Sequence, residues 1–146
     1  MSGLKDFLTP DDEKEIVNAI GIAEKNTSGE IRVHIENHSE KPPLERAQEV
    51  FLQLGMANTA ARNGVLFYVG VADHTFAIIG DEGIDKVVED DFWDCTKDEV
   101  ISEFKKGEYK TGLINGILRA GERLKKYFPF DDKGDINELP DSISKA

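Results

Sequence analysis

Residues 62–83 read RNGVLFYVGVADHTFAIIGDEG. Two apolar runs, Val65 to Val71 and Thr75 to Ile79, are parted by Asp73-His74, a pair suited to a tight turn. The first run is almost wholly apolar, which marks a central strand covered on both faces. The second returns antiparallel to it. Asn63-Gly64 stands before the unit and Gly80-Asp81-Glu82-Gly83 closes it, so turn glycines and oxygen-bearing side chains bracket a hairpin.

Working outward, the flanks supply what the hairpin packs against. Thr9-Pro10-Asp11-Asp12 is a helix start, with a capping hydroxyl, a proline suited to the first helical position and acids at the positive end of the dipole. Ile16, Ala19, Ile20 and Ala23 then form an apolar stripe at helical spacing. After Asn26-Thr27-Ser28-Gly29, the segment Glu30 to Asn37 alternates: Ile31, Val33 and Ile35 face one way, Glu30, Arg32, His34 and Glu36 the other. That pattern predicts an edge or half-covered strand with one wet face, and His34 at the surface. Leu44, Ala47, Val50, Phe51 and Leu54 trace a second amphipathic helix.

Beyond the hairpin, a short helix is expected through Val87-Val88. Thr96-x-x-Glu99 has the capping-box pattern and predicts a helix start before Val100, Ile101 and Phe104. Past Gly107, a last long helix carries Leu113, Ile114, Ile117, Leu118 and Leu124. Gly112, Gly116 and Ala120 recur on it every four residues, which predicts close packing on the sheet. Pro129 stops it. The expected layout is an N-terminal arm over 1–8, one domain over 9–128 and a flexible acidic tail over 129–146.

The element order is therefore α-β-α-β-β-α-α. A helix joins the first two strands, so they are parallel with a right-handed crossover, and the third is antiparallel to the second. The helices exceed what one face can hold. The fold class is thus α/β, a single-domain α/β/α sandwich around a small mixed sheet.

Composition bounds the function. The 146 residues carry a net charge of −11 and a pI of about 4.7, which disfavours nucleic acid and anionic membranes and favours cations. The lone Cys95 has no intramolecular partner and reads as a buried or neutral thiol, compatible with a reducing compartment. The start of the sequence lacks the basic and apolar regions of a signal peptide, Ser2 stands where myristoylation needs glycine, and no apolar run is long enough to span a membrane. The expected location is the cytoplasm.

The topology itself places the chemistry. Two parallel strands begin at one sheet edge and the third, running back, ends there. Ser28-Gly29-Glu30, Arg62-Asn63-Gly64 and Gly80-Asp81-Glu82-Gly83 therefore converge, with Glu89-Asp90-Asp91 close enough in sequence to fold over them. Glu30, Asp81, Glu82, Asp90 and Asp91, with Asn63 and glycine-loop carbonyls, match the oxygen ligands that Ca²⁺ requires. The same acids would equally serve as helix caps and a solvated surface. At the opposite edge, Glu36, Asn37, His38, Asp73 and His74 read as solvated turn residues rather than a transition-metal site. No Walker A sequence or G-x-S-x-G elbow is present. The tail run Asp131 to Glu138 fails the EF-hand pattern, because Lys133 stands at the third position.

Four segments in order carry a family resemblance: Ser28-Gly29-Glu30-Ile31-Arg32-Val33, Asn63-Gly64-Val65-Leu66-Phe67, Ile79-Gly80-Asp81-Glu82-Gly83-Ile84 and Phe104-Lys105-Lys106-Gly107-Glu108-Tyr109-Lys110-Thr111-Gly112. Over roughly residues 10 to 127 the chain resembles the TPM domain. The resemblance implies an α/β/α sandwich and, in some members, Ca²⁺ or a related divalent ion. It also implies one of two quite different uses, since the family spans an acid phosphatase and a receptor modulator that acts by binding a partner. By position, the site residues it implies are Glu30, Asn63, Asp81 and Glu82, followed by Asp90 or Asp91. Many relatives carry a signal peptide or anchor, and neither is visible here.

Three functions are therefore expected in turn. The first is a soluble protein binding Ca²⁺ or Mg²⁺ at the loop cluster, with divalent cations as its partners. The second is a metal-dependent phosphomonoester hydrolase with Arg62 or Arg32 on phosphate oxygens. The third is a protein-interaction module in which metal only stiffens the loops.

Overall fold

A computed structural model describes residues 7–59, 62–130 and 143–145. Helix α1 (Pro10–Glu24) leads to strand β1 (Glu30–Glu36), then α2 (Pro43–Gln53) and a 3₁₀ turn (Met56–Asn58). The hairpin follows as β2 (Gly64–Gly70) and β3 (Thr75–Gly80). Next come the short α3 (Glu82–Asp85), then α4 (Asp94–Lys105), α5 (Tyr109–Leu124) and a two-residue strand β4 (Ser144–Lys145). The sheet order is β3-β2-β1-β4, with β1 parallel to β2 and β4, and β2 antiparallel to β3. Up to β4, the order and the sandwich are those the sequence predicts.

Two cores lie on the two faces of the sheet. On one, Ile31, Val33 and Ile35 of β1, Val65, Phe67 and Val69 of β2, and Phe76 and Ile78 of β3 meet the apolar faces of α1, α4 and α5. On the other, Leu66, Tyr68 and Ala77 meet Ala47, Val50 and Phe51 of α2, with Met56. Period-two alternation along the strands divides these sets. The small residues of α5 permit close approach, to the neighbouring helices more than to the sheet expected. A Cβ on Gly116 would stand 2.6 Å from Val100 Cγ2 and 3.0 Å from Phe67 Cε2. Gly107 links α4 to α5 at φ 79°, a left-handed conformation that suits glycine.

The helix starts are built differently from one another. Thr9 Oγ1 accepts from the Asp12 amide at 3.1 Å and Asp12 Oδ2 accepts from the Thr9 amide at 3.0 Å, so α1 has a complete capping box. The Thr96-x-x-Glu99 pattern is not used in that way. Helix α4 begins earlier, at Asp94, and Thr96 lies buried inside it. The aromatic pair Phe92-Trp93, packed edge to face at 4.7 Å, turns the chain into the helix ahead of the pattern.

The polar face of β1 departs from expectation. Glu30, His34 and Glu36 are buried; only Arg32 keeps partial exposure. For His34 and Glu36, pairing with each other and with side chains from other elements accounts for this. Glu36 accepts from Arg46 Nε and Nη2 (both 2.8 Å), from the Tyr68 hydroxyl (2.5 Å) and from His34 Nε2 (3.0 Å). With its proton on Nε2, His34 accepts at Nδ1 from the Ser144 hydroxyl, 2.9 Å away on β4. Strict alternation registers polarity, and a satisfied buried network is as polar as a wet face.

Strand β4 also bears on the expected tail. Residues 131–142 and 146 lie outside the described residues, but Ser144 and Lys145 pair with His34 and Ile35 rather than hanging free. Further along β1, the Ile31 amide donates to Glu24 Oε2 at 3.1 Å. The arm expected over 1–8 is described only at Phe7 and Leu8, and Leu8 is buried in the core.

Candidate functional site

Strand register assembles the acidic edge. Glu30 pairs with Gly64 across β1 and β2, and Val65 with Gly80 across β2 and β3. Backbone bonds extend this into the loops: the Glu30 amide donates to Asn63 O (3.2 Å), the Asp81 amide to Gly64 O (2.9 Å) and the Gly83 amide to Arg62 O (2.9 Å). The three segments expected to converge do so.

Their side chains have distinct fates. Asp81 caps α3, and Oδ1 accepts from the Glu82 amide at 2.7 Å. Its carboxylate also receives a two-pronged bond from Arg62, Nε to Oδ2 at 2.7 Å and Nη2 to Oδ1 at 2.9 Å. The Asp81 hydrogen bonds raise the guanidinium's pKa further above its already high value. Glu82 is exposed and its Oε1 lies 3.4 Å from Arg62 Nη1. Asn63 is buried and donates to Ser28 Oγ at 3.4 Å. Glu30 is buried beneath the loops. Asp90 and Asp91 are exposed in the turn before α4.

Asp85 joins this group although the sequence did not single it out. Its side chain reaches solvent, yet its pKa is raised, first by partial desolvation and then by the charges of Asp81 and Asp90. The available signal was spacing: four residues on a helix bring Asp85 back over Asp81. Beside the edge lies a cleft of about 330 Å³ whose lining includes Arg62, Asp81, Asp85 and Trp93. Trp93 Nε1 is buried there without a hydrogen-bond partner.

A divalent ion needs several oxygens free to converge on it. Among the described residues, no three His, Cys, Asp or Glu side chains are grouped so as to hold a metal. Asp81 is committed to Arg62 and Glu30 is buried, so the expected ligands converge in backbone but not in carboxylate. As placed, they do not fit a pre-formed metal centre.

At the opposite edge His38 bonds to Asp73 at 2.6 Å and to Glu40 at 3.1 Å, in the exposed turn expected there. Cys95 is exposed rather than buried. Among the described residues no helix is long and apolar enough to cross a membrane.

The TPM domain family matches residues 3–123. Among solved structures, the chain is similar to the BA42 protein of the psychrophilic bacterium Bizionia argentinensis. The two share 55% identity over 100% of each chain, with a TM-score of 0.92. The N-terminal domain of a P. gingivalis protein shares the fold at 19% identity and a TM-score of 0.68, over 84% of this chain and 79% of that one. The N-terminal domain of cg2496 from Corynebacterium glutamicum does so at 11% identity and a TM-score of 0.63, over 98% and 82%. No curated protein gives a significant match. With the family's pattern spanning most of its length on the fold just described, the chain belongs to the TPM domain family.

Proposed function

We propose that this TPM domain takes up a hard divalent cation, Ca²⁺ or Mg²⁺, at the edge that carries Asp81, Glu82, Asp85 and Asp90, with Asp91 at the rim and Asn63 and Glu30 beneath, the ion itself drawing the carboxylates together. The observation that carries this reading is Asp85, whose carboxyl is raised in part by Asp81 and Asp90. A carboxyl held up by the charges of neighbouring carboxylates gains from added positive charge, and a cation supplies it. Arg62 already serves Asp81 as an internal counter-ion. A metal therefore competes with the guanidinium, and its affinity belongs in the weak range of roughly 10⁻⁴–10⁻³ M.

Two expectations follow for residue-resolved NMR. Millimolar Ca²⁺ shifts the amide signals of Gly80, Glu82, Gly83 and Asp85, and Arg62→Gln tightens binding by about threefold or more, because one competing charge is gone. Unchanged signals in wild type would sink the proposal.

A metal-dependent phosphomonoester hydrolase is the second reading. It draws support from the neighbouring cleft, where Arg62 and the unpartnered Trp93 Nε1 offer donors suited to phosphate oxygens. Under this reading Asp81→Asn lowers turnover of a generic phosphate ester. Equal rates for the two proteins would remove the edge from consideration as a catalytic site.

A further inference from the structure

A second cavity lies at the other end of the sheet. It occupies about 500 Å³ between the β2–β3 hairpin, the last turn of α4 and Phe7. That volume is typical of small-molecule pockets. One wall is aromatic: Phe7 stands over Tyr109 at 4.4 Å, and Phe104 meets Phe76 and Tyr109 edge to face, each at 5.5 Å. Such a wall accepts a flat ring in either an edge-on or a stacked pose.

The polar groups are few, from Asn37, His74, Thr75 and Lys105. Asn37 Oδ1 faces no hydrogen-bond donor although it is buried, and an unanswered buried acceptor is costly. Lys105 lies at the cavity, and among the described residues no carboxylate pairs with it. Among the described residues no Asp or Glu lines the cavity, in a chain where 29 acidic residues outnumber 18 basic ones. A ligand matched to this lining has an aromatic body and a carboxylate for Lys105.

We propose that this cavity binds a small aromatic carboxylic acid. The site is separate from the acidic edge and does not depend on it. The probes are 3-(4-hydroxyphenyl)propionate and its neutral primary amide, titrated into the full chain and followed by residue-resolved NMR. The acid should produce saturable shifts at Gly70, Thr75 and Phe104 and bind about fivefold or more tightly than the amide, the scale of one partly exposed ion pair. Lys105→Gln, an exposed position where loss of fold is not expected, should erase that preference while leaving weak binding of both probes. The proposal is overturned by the absence of saturable shifts at these amides, by equal affinities for acid and amide, or by an acid preference that survives Lys105→Gln.

Discussion

Arg62 holds a left-handed backbone conformation, φ 51°, that bulky residues rarely adopt. The strain has a local return, since this turn sets both guanidinium nitrogens against Asp81. His74, at φ 54°, marks the other end of the same hairpin. Glu36 shows the opposite economy, with no strained backbone and a fully answered charge. Burial alone would raise its pKa; hydrogen bonds from Arg46, Tyr68 and His34 outweigh that and bring it to about 2. Burial likewise lowers the pKa of His34, which favours the neutral ring the network requires. The sign follows directly. In the folded chain Glu36 releases its proton more readily than in the unfolded one, so its contribution is complete above the ordinary carboxylate range. It disappears as pH falls towards 2. The size is about 3 kcal/mol by the usual conversion. Urea titrations across that range should show a steep acid loss in wild type. Glu36→Gln should be weaker at neutral pH by a similar amount and flatter below pH ~4.5.

Among the elements, α5 is the most tightly constrained. Gly116 lies against both Val100 on α4 and Phe67 on β2, so a methyl group there must displace a helix or a buried ring. Gly116→Ala should cost about 1–3 kcal/mol despite the better helix propensity of alanine, as read from a thermal or denaturant midpoint. The four-residue recurrence of Gly112, Gly116 and Ala120 made this packing legible in advance. Apolar periodicity did the same for β2, β3 and the buried stripe of α1. Other features were out of reach for physical reasons. Thr96 looked like a cap because Glu99 follows three residues later, but helix starts depend on the preceding chain, and Phe92-Trp93 turns it earlier. His34 looked wet because Arg32 and Glu36, two residues away on the same face of the strand, are polar, while Arg46, Tyr68 and Ser144, which enclose it with Glu36, come from three other elements. At the acidic edge the backbone convergence could be deduced from topology. The Arg62–Asp81 pairing could not, since it depends on a single backbone angle.

At the scale of the molecule, charge and polarity are divided between the two ends of the sheet. The strand starts set Asp81 and Glu82 about Arg62, and the hairpin end sets a ring-walled cavity with Lys105 near the His38–Asp73 pair. The sides of the sheet have their own logic. An open strand is a template, because its unpaired amides and carbonyls can be copied by any extended chain that drifts alongside, including another molecule of the same sequence. On the β1 side that template is interrupted twice. Glu24 reaches across to take the Ile31 amide, and two residues from the far end of the chain take the places beside His34 and Ile35. A visiting strand would have to evict a carboxylate and unzip a parallel pair before its first bond formed. The short C-terminal strand therefore acts less as added sheet than as a stopper against templated polymerisation.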